Sequence, residues 1–195
     1  MSASFVSQLY QNILGREPDA SGLAFWREMI EYGGISAAKM TEQFISSVEY
    51  KVHVQPIAQL YFVTFDRAPE ADGLDFWVKA HRAGVSLDVI ATEFSQADEF
   101  EAKYGQMDDE QFITSLYQNA LRREPDEAGQ AYWAAQLSGG LSRASVLESF
   151  SGSAEMVELR AQEVDFALLY LALTGEPPTM AMIREAVPIR DWLNV

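Results

Sequence analysis

The chain has 195 residues, 48% of them hydrophobic and 22% charged, and its 14 basic and 29 acidic side chains leave a net charge of −15. A surface of that sign repels phosphate backbones and anionic headgroups, so nucleic acid and bare membrane are excluded as expected partners. The absence of cysteine removes disulfide scaffolds, thiolate metal sites and cysteine nucleophiles.

The first residues, Met1 to Phe5, show no basic region leading into an apolar core, so no classical signal peptide is expected. From Phe5 onward, Leu9 and Ile13, with Val6 and Tyr10 beside them, recur at three- and four-residue spacing, which predicts an amphipathic helix. A stretch follows that organises everything after it: Arg16-Glu17-Pro18-Asp19-Ala20-Ser21-Gly22-Leu23-Ala24-Phe25-Trp26. It returns at Arg67, Pro69, Gly73 and Trp77, and again at Arg123, Pro125, Gly129 and Trp133. A tyrosine stands eight residues before each proline, at Tyr10, Tyr61 and Tyr117, and each tryptophan lies eight residues after it.

In each copy the proline is expected at the first helical position, where its missing N–H costs nothing. The next residue (Asp19, Glu70 or Asp126) then places a carboxylate beside the positive end of that helix. Gly22, Gly73 and Gly129 fall inside it, at a propensity cost of about 1 kcal/mol relative to alanine. A penalty accepted three times implies a close approach, and another backbone is expected to cross there. Gly34-Ile35-Ser36, Gly84-Val85-Ser86 and Gly140-Leu141-Ser142 then end this helix and cap a third. The third helix closes near Phe44, Phe94 and Phe150. A short fourth opens at Ser47, Ala97 and Ser153, with Glu49, Glu99 and Glu155 in its first turn.

The chain therefore divides into repeat units at 1–54, 55–107 and 108–160, with a degenerate fourth unit and C-terminal cap at 161–195. That unit keeps Leu169-Tyr170 and, eight residues on, Pro178, but loses the glycine and the tryptophan. Ser153 to Leu173 reads as one long helix. Its apolar run, from Phe166 to Leu173, is eight residues, far below the roughly 20 that span a bilayer. No period-two alternation of useful length occurs. The expected fold class is all-α, a tandem array of three multi-helix repeats that bury their aromatic faces against their neighbours.

Carried by these motifs, the chain resembles a bacterial all-helical family of domains of unknown function. Its usual signature is Leu-Tyr…Gly-Arg-x-Pro-Asp-x-x-Gly-x-x-x-Trp…Gly…Phe…Ser-x-Glu-Tyr. Glu49-Tyr50 matches the family ending, Glu99-Phe100 nearly so, and Glu155-Met156 departs from it. The resemblance implies a fold and a neighbourhood, not a reaction. Members occur in secreted multidomain proteins, beside calcium-binding repeats, surface-layer modules or glycosyltransferases. A likeness to phycobilisome linker domains implies a bridging role as the alternative. The family offers no catalytic residues to carry over.

Enzymatic groupings are thin. His81 falls where the other units have Ile30 and Leu137 and is expected to be a packing residue; His53 is expected to be solvated in a connector. No phosphate-cradling glycine loop or calcium-binding EF-hand loop is present. Calcium is left open by the carboxylates at Asp98, Glu99, Glu101, Asp108, Asp109 and Glu110, although a charged connector explains them as well. A sugar stacked on tryptophan is the other open ligand, weighed against aromatics that sit at core spacing. Arg16, Arg67 and Arg123 are expected to clamp Glu49, Glu99 and Glu155, with a row of guanidinium groups facing a partner as the alternative. The last residues, Arg190 to Val195, loosely resemble an uncleaved C-terminal export signal. The expectation is a non-enzymatic protein-interaction or structural module, without a cofactor, at the cell surface or outside the cell.

Overall fold

The computed structural model describes residues 3–187, and those residues form helices joined by short turns, with no strand among them. The first unit contains α1 (Ala3–Leu14), α2 (Ala20–Glu31), α3 (Ala37–Ser46) and α4 (Val48–His53). The second contains α5 (Gln55–Phe65), α6 (Ala71–Arg82), α7 (Leu87–Ser95) and α8 (Asp98–Tyr104). In the third, α9 (Asp109–Leu116) runs into a π turn (Tyr117–Leu121), followed by α10 (Glu127–Ser138) and α11 (Arg143–Ser151). The long helix α12 (Ala154–Thr174) and the short α13 (Met180–Ala186) complete the chain.

The turns follow from local chemistry repeated in each unit. Gly34, Gly84 and Gly140 take positive φ of 59°, 99° and 96°, a region that glycine enters without steric cost. The serine two residues later caps the next helix: Ser36, Ser86 and Ser142 accept the backbone N–H of Lys39, Val89 and Ser145. Ser47 and Ser153 cap α4 and α12 in the same way, whereas Ala97 holds the same extended backbone at the start of α8 with no side chain to offer. Asp108 and Gln111 form a reciprocal capping box at α9.

The prolines lie elsewhere than at the expected first helical position. Helices α2, α6 and α10 begin two residues later, and Asp19, Glu70 and Asp126 are their N-caps. Asp19 accepts from the Gly22 amide at 2.8 Å and Asp126 from the Gly129 amide at 2.7 Å. Glu70, one methylene longer, makes no cap bond and pairs with Arg67 at 2.7 Å instead. Proline therefore sets the chain's entry into the cap.

Helix α5 lies at the centre. Every residue from Ile57 to Thr64 is buried, with α11, α12, α4 and α7 packed round it. The reason is visible in the register: one residue after the signature tyrosine, Gln11 and Gln118 stand at exposed positions but Phe62 stands in α5. Likewise Glu17 and Glu124 are replaced by the buried Ala68. The third helices of units two and three, α7 and α11, make the broadest contact between units.

The fourth unit keeps its opening turn. Gly175 is left-handed at the position held by Gly15, Asp66 and Arg122, and Thr179 caps α13 through the Met182 amide. Its clamp arginine has become Glu176, and Met182 fills the glycine position. Rather than trailing away, α12 packs back against α1, where Asn12 donates to the Ala172 carbonyl at 2.6 Å. The stretch expected to act as an export signal, 190–195, lies outside the described residues.

Candidate functional site

The signature residues converge on one cluster in each unit, and the three clusters share their geometry. The tyrosine is presented by the first helix and almost fully buried: Tyr10, Tyr61 and Tyr117 are 5 to 7% exposed. Its ring meets the third-helix phenylalanine edge-on, at 5.0 Å from Phe44, 4.8 Å from Phe94 and 5.2 Å from Phe150. The tryptophan of the second helix packs on that same phenylalanine, with Trp26, Trp77 and Trp133 at 5.2, 5.6 and 5.2 Å. The ring contacts of each aromatic trio thus close inside its own unit, between its first, second and third helices.

The close approach at the glycines comes from a side chain, not a crossing backbone. A Cβ built on Gly73 would lie 2.6 Å from the Tyr61 hydroxyl, and the Tyr10 and Tyr117 hydroxyls crowd Gly22 and Gly129 still more closely. Above the ring sits the arginine: the guanidinium carbon is 4.8 Å from the Tyr10 centroid, 5.4 Å from Tyr61 and 4.9 Å from Tyr117, in cation–π range.

That guanidinium is also a two-pronged clamp. Arg16 donates from Nε and Nη2 to Glu49, Arg67 to Glu99 and Arg123 to Glu155, all at 2.5 to 2.9 Å. The fork matches a carboxylate bidentately. Its hydrogen bond holds Glu49 and Glu99 below the usual carboxylate range and raises the three arginines above theirs. Burial pushes the Tyr61 phenol up to about 12. Outside each cluster, the aromatic preceding the tryptophan points to solvent: Phe25, Phe76 and Tyr132 are 51, 61 and 56% exposed.

The acidic stretch between units two and three disperses in space. Glu99 belongs to the Arg67 clamp, Asp108 caps α9 and Asp109 pairs with Arg143 at 2.9 Å. Among the described residues no three side chains of His, Asp or Glu are grouped to hold a metal ion. Nor is any helix among them long and apolar enough to cross a membrane. A cleft of about 260 Å³ opens where α1, α6 and α12 meet, lined in part by Asn12, Asp72, Asp75 and Leu171.

His53 is not solvated in a connector. It ends α4, half-buried, and its ring centroid lies 5.6 Å from that of His81. The sequence reading also missed a buried ionic group. Arg160, 1% exposed, donates to Glu163 at 2.6 Å and to the Asn119 carbonyl at 2.6 Å, and its guanidinium covers Phe62. Arg122 holds the other oxygen of Glu163 at 2.5 Å. Burial lowers the Arg160 pKa despite that carboxylate. Arg160 and Glu163 are spaced as an ordinary surface pair on a helix; only the docking of α12 across α5 and the π turn puts them inside. The Tyr50 hydroxyl, bonded to Asp165 at 2.6 Å, ties α4 to α12.

An all-α protein built on a repeated tyrosine–arginine–glutamate–tryptophan cluster is the class these features define. The family model described as Domain of unknown function (DUF4214) matches residues 1–54 and 91–160, more than half the chain, and the protein belongs to that family. The first matched segment is the first unit; the second starts inside α7 and runs through the third unit into α12. No curated protein matches the chain.

Proposed function

We propose that the protein is a non-enzymatic interaction or structural module of a secreted or surface-associated bacterial protein. One observation carries this reading. The motif's chemistry is engaged internally: each guanidinium grips a glutamate, each phenol fills the notch of a glycine and each indole packs on a phenylalanine. Side chains so engaged build a frame and leave no free nucleophile or base in the cluster. What the frame holds out to solvent at equivalent places is an aromatic ring on each second helix, Phe25, Phe76 and Tyr132, and exposed aromatics are favoured anchors for protein partners. The location outside the cell is supported by the family resemblance and by the net charge of −15.

Cross-linking on intact producing cells tests both parts. The wild-type protein is expected in the medium or surface fraction, joined to a partner, and replacing Phe25, Phe76 and Tyr132 together by serine removes that product while the melting curve stays in place. A cross-link unaffected by the triple substitution overturns the proposed contact surface. Recovery of the native protein in the cytosol overturns the location and favours an intracellular linker, against which the acidic charge argues. In this proposal neither calcium nor sugar is required, so millimolar calcium leaves the melting temperature unchanged; an upward shift would restore the metal reading.

A further inference from the structure

Both histidines of the chain meet at one place, the joint between the first two units, where the end of α4 lies against the end of α6. His81 aims its ring nitrogens at two acceptors, Nδ1 at the Val85 carbonyl (2.8 Å) and Nε2 at the Val52 carbonyl (3.3 Å). A neutral imidazole donates from one nitrogen only, so the pair of carbonyls is fully served by the protonated ring. His53 is placed differently: its Nδ1 is enclosed and meets no hydrogen-bond partner among the described residues. Next to it, Arg82 reaches across the joint to the Leu14 carbonyl and Glu49, both at 2.8 Å, and Glu49 is held at the same time by Arg16.

The remaining charged groups on these helices lie away from the histidines, with Asp72 in the first turn of α6. On α4, Lys51 faces Asp165 of α12; on α6, Lys79 pairs with Asp75 at 2.7 Å; α5 carries no charged residue. Arg16, which also pairs with Asp19 at 3.6 Å, and Arg82 thus share Glu49, and each histidine proton adds positive charge beside Arg82. One proton is accommodated, since His81 can use it. A second, on His53, brings a cation beside His81 and Arg82 with no acceptor for its Nδ1.

We propose that the His53–His81 pair is a proton-operated latch on the joint between units one and two, closed when His53 is neutral and released when His53 is protonated. Release means that α6 lifts from α4 while the Tyr–Arg–Glu–Trp clusters remain intact. The direction agrees with the ring's environment: burial, then Arg82 and His81, hold His53 below the ordinary histidine value. A group depressed in this way contributes its stabilisation above the unfolded value of about 6.5 and loses it as the pH falls through the folded value. Glu49, itself held low by Arg16, stays ionised over that interval.

Hydrogen exchange and histidine NMR on the intact chain test the latch. Between about pH 7.5 and 5, the equilibrium protection of α6 amides, corrected for intrinsic exchange rates, is expected to fall roughly tenfold in the parent and less than about twofold in H53Q. The His53 ring should titrate below about 6.5, over the same range as the loss of protection. An equal acid response in H53Q, or a His53 that titrates at or above the ordinary value, overturns the proposal. The NMR readout needs no substitution and so decides the matter even if H53Q folds poorly.

Discussion

Replacing Gly73 by alanine separates the steric reading of the signature glycine from a propensity reading. In an exposed helix this change stabilises by about 1 kcal/mol, because alanine costs less backbone entropy. Here the new methyl would lie 2.6 Å from the Tyr61 hydroxyl, a separation that real Cβ atoms do not sustain. The phenol cannot swing aside, since Phe94 at 4.8 Å, Phe65 at 5.8 Å and the Arg67 guanidinium at 5.4 Å enclose the ring. Overpacking of this kind costs about 1–3 kcal/mol. Set against the propensity gain, the net effect is a loss of roughly 2 kcal/mol at the upper end, a drop of about 4–8 °C in melting temperature for a chain of this size. Removing the hydroxyl inverts the sign. The same Cβ lies 3.6 Å from the ring carbon Cζ, an ordinary contact, so in a Tyr61→Phe background G73A is expected to stabilise by up to about 1 kcal/mol. Urea denaturation of the four proteins in that cycle gives the coupling, expected to be about 1–3 kcal/mol. If G73A is more stable than the parent with Tyr61 present, the phenol does not dictate the glycine and the steric argument fails.

Three other perturbations test separate parts of the structure. Ala97→Ser supplies the cap that α8 lacks, on a backbone (φ −69°, ψ 145°) nearly identical to that of Ser47 (−66°, 150°), and should raise stability by about 0.5–1 kcal/mol in urea melts; no gain would mean that the equivalence between units stops short of the cap. Arg160→Ala leaves Glu163 buried beside Arg122 alone and should cost about 3–5 kcal/mol, or prevent folding, whereas the same change at the half-exposed Arg123 should cost less than about 1 kcal/mol. Glu49→Gln should cost more than Glu155→Gln, about 1 kcal/mol against about half of that after solvent screening, because Glu49 is shared by Arg16 and Arg82. Glu49 is depressed in the folded state, so its contribution is present above the ordinary carboxylate value and disappears as the pH falls below it; the difference between E49Q and the parent should shrink in acid, and a gap that is constant down to about pH 3 contradicts the clamp.

What could be read in advance followed from local rules. Glycine in the left-handed region, serine as N-cap and apolar residues at helical spacing act over a few residues, so the helices and the Gly-x-Ser turns were legible from local pattern alone. Repetition added the clamp, because Arg16, Arg67 and Arg123 each have a glutamate near the start of the fourth helix. The proline was misplaced by two residues since proline is tolerated both at the first helical position and just before the cap, and Asp19 reads alike in either frame. The cause of the glycine was misassigned because helical spacing along one element does not reveal which group arrives from another.

Sequence by itself determined the all-α class, the threefold repeat and the residues of each cluster, because each rests on contacts within one unit that the motif writes out three times. Tertiary structure alone decided which units touch, that α12 folds back onto α1, that Tyr50 reaches Asp165, and that Arg160, Glu163 and His53 leave the surface for buried or half-buried joints. Arg160, Glu163 and His53 occur once, without a repeated partner or a diagnostic spacing. Their environment is set by packing between separate segments, 41 positions apart for Arg160 and Asn119 and 115 for Tyr50 and Asp165, and no local pattern encodes it.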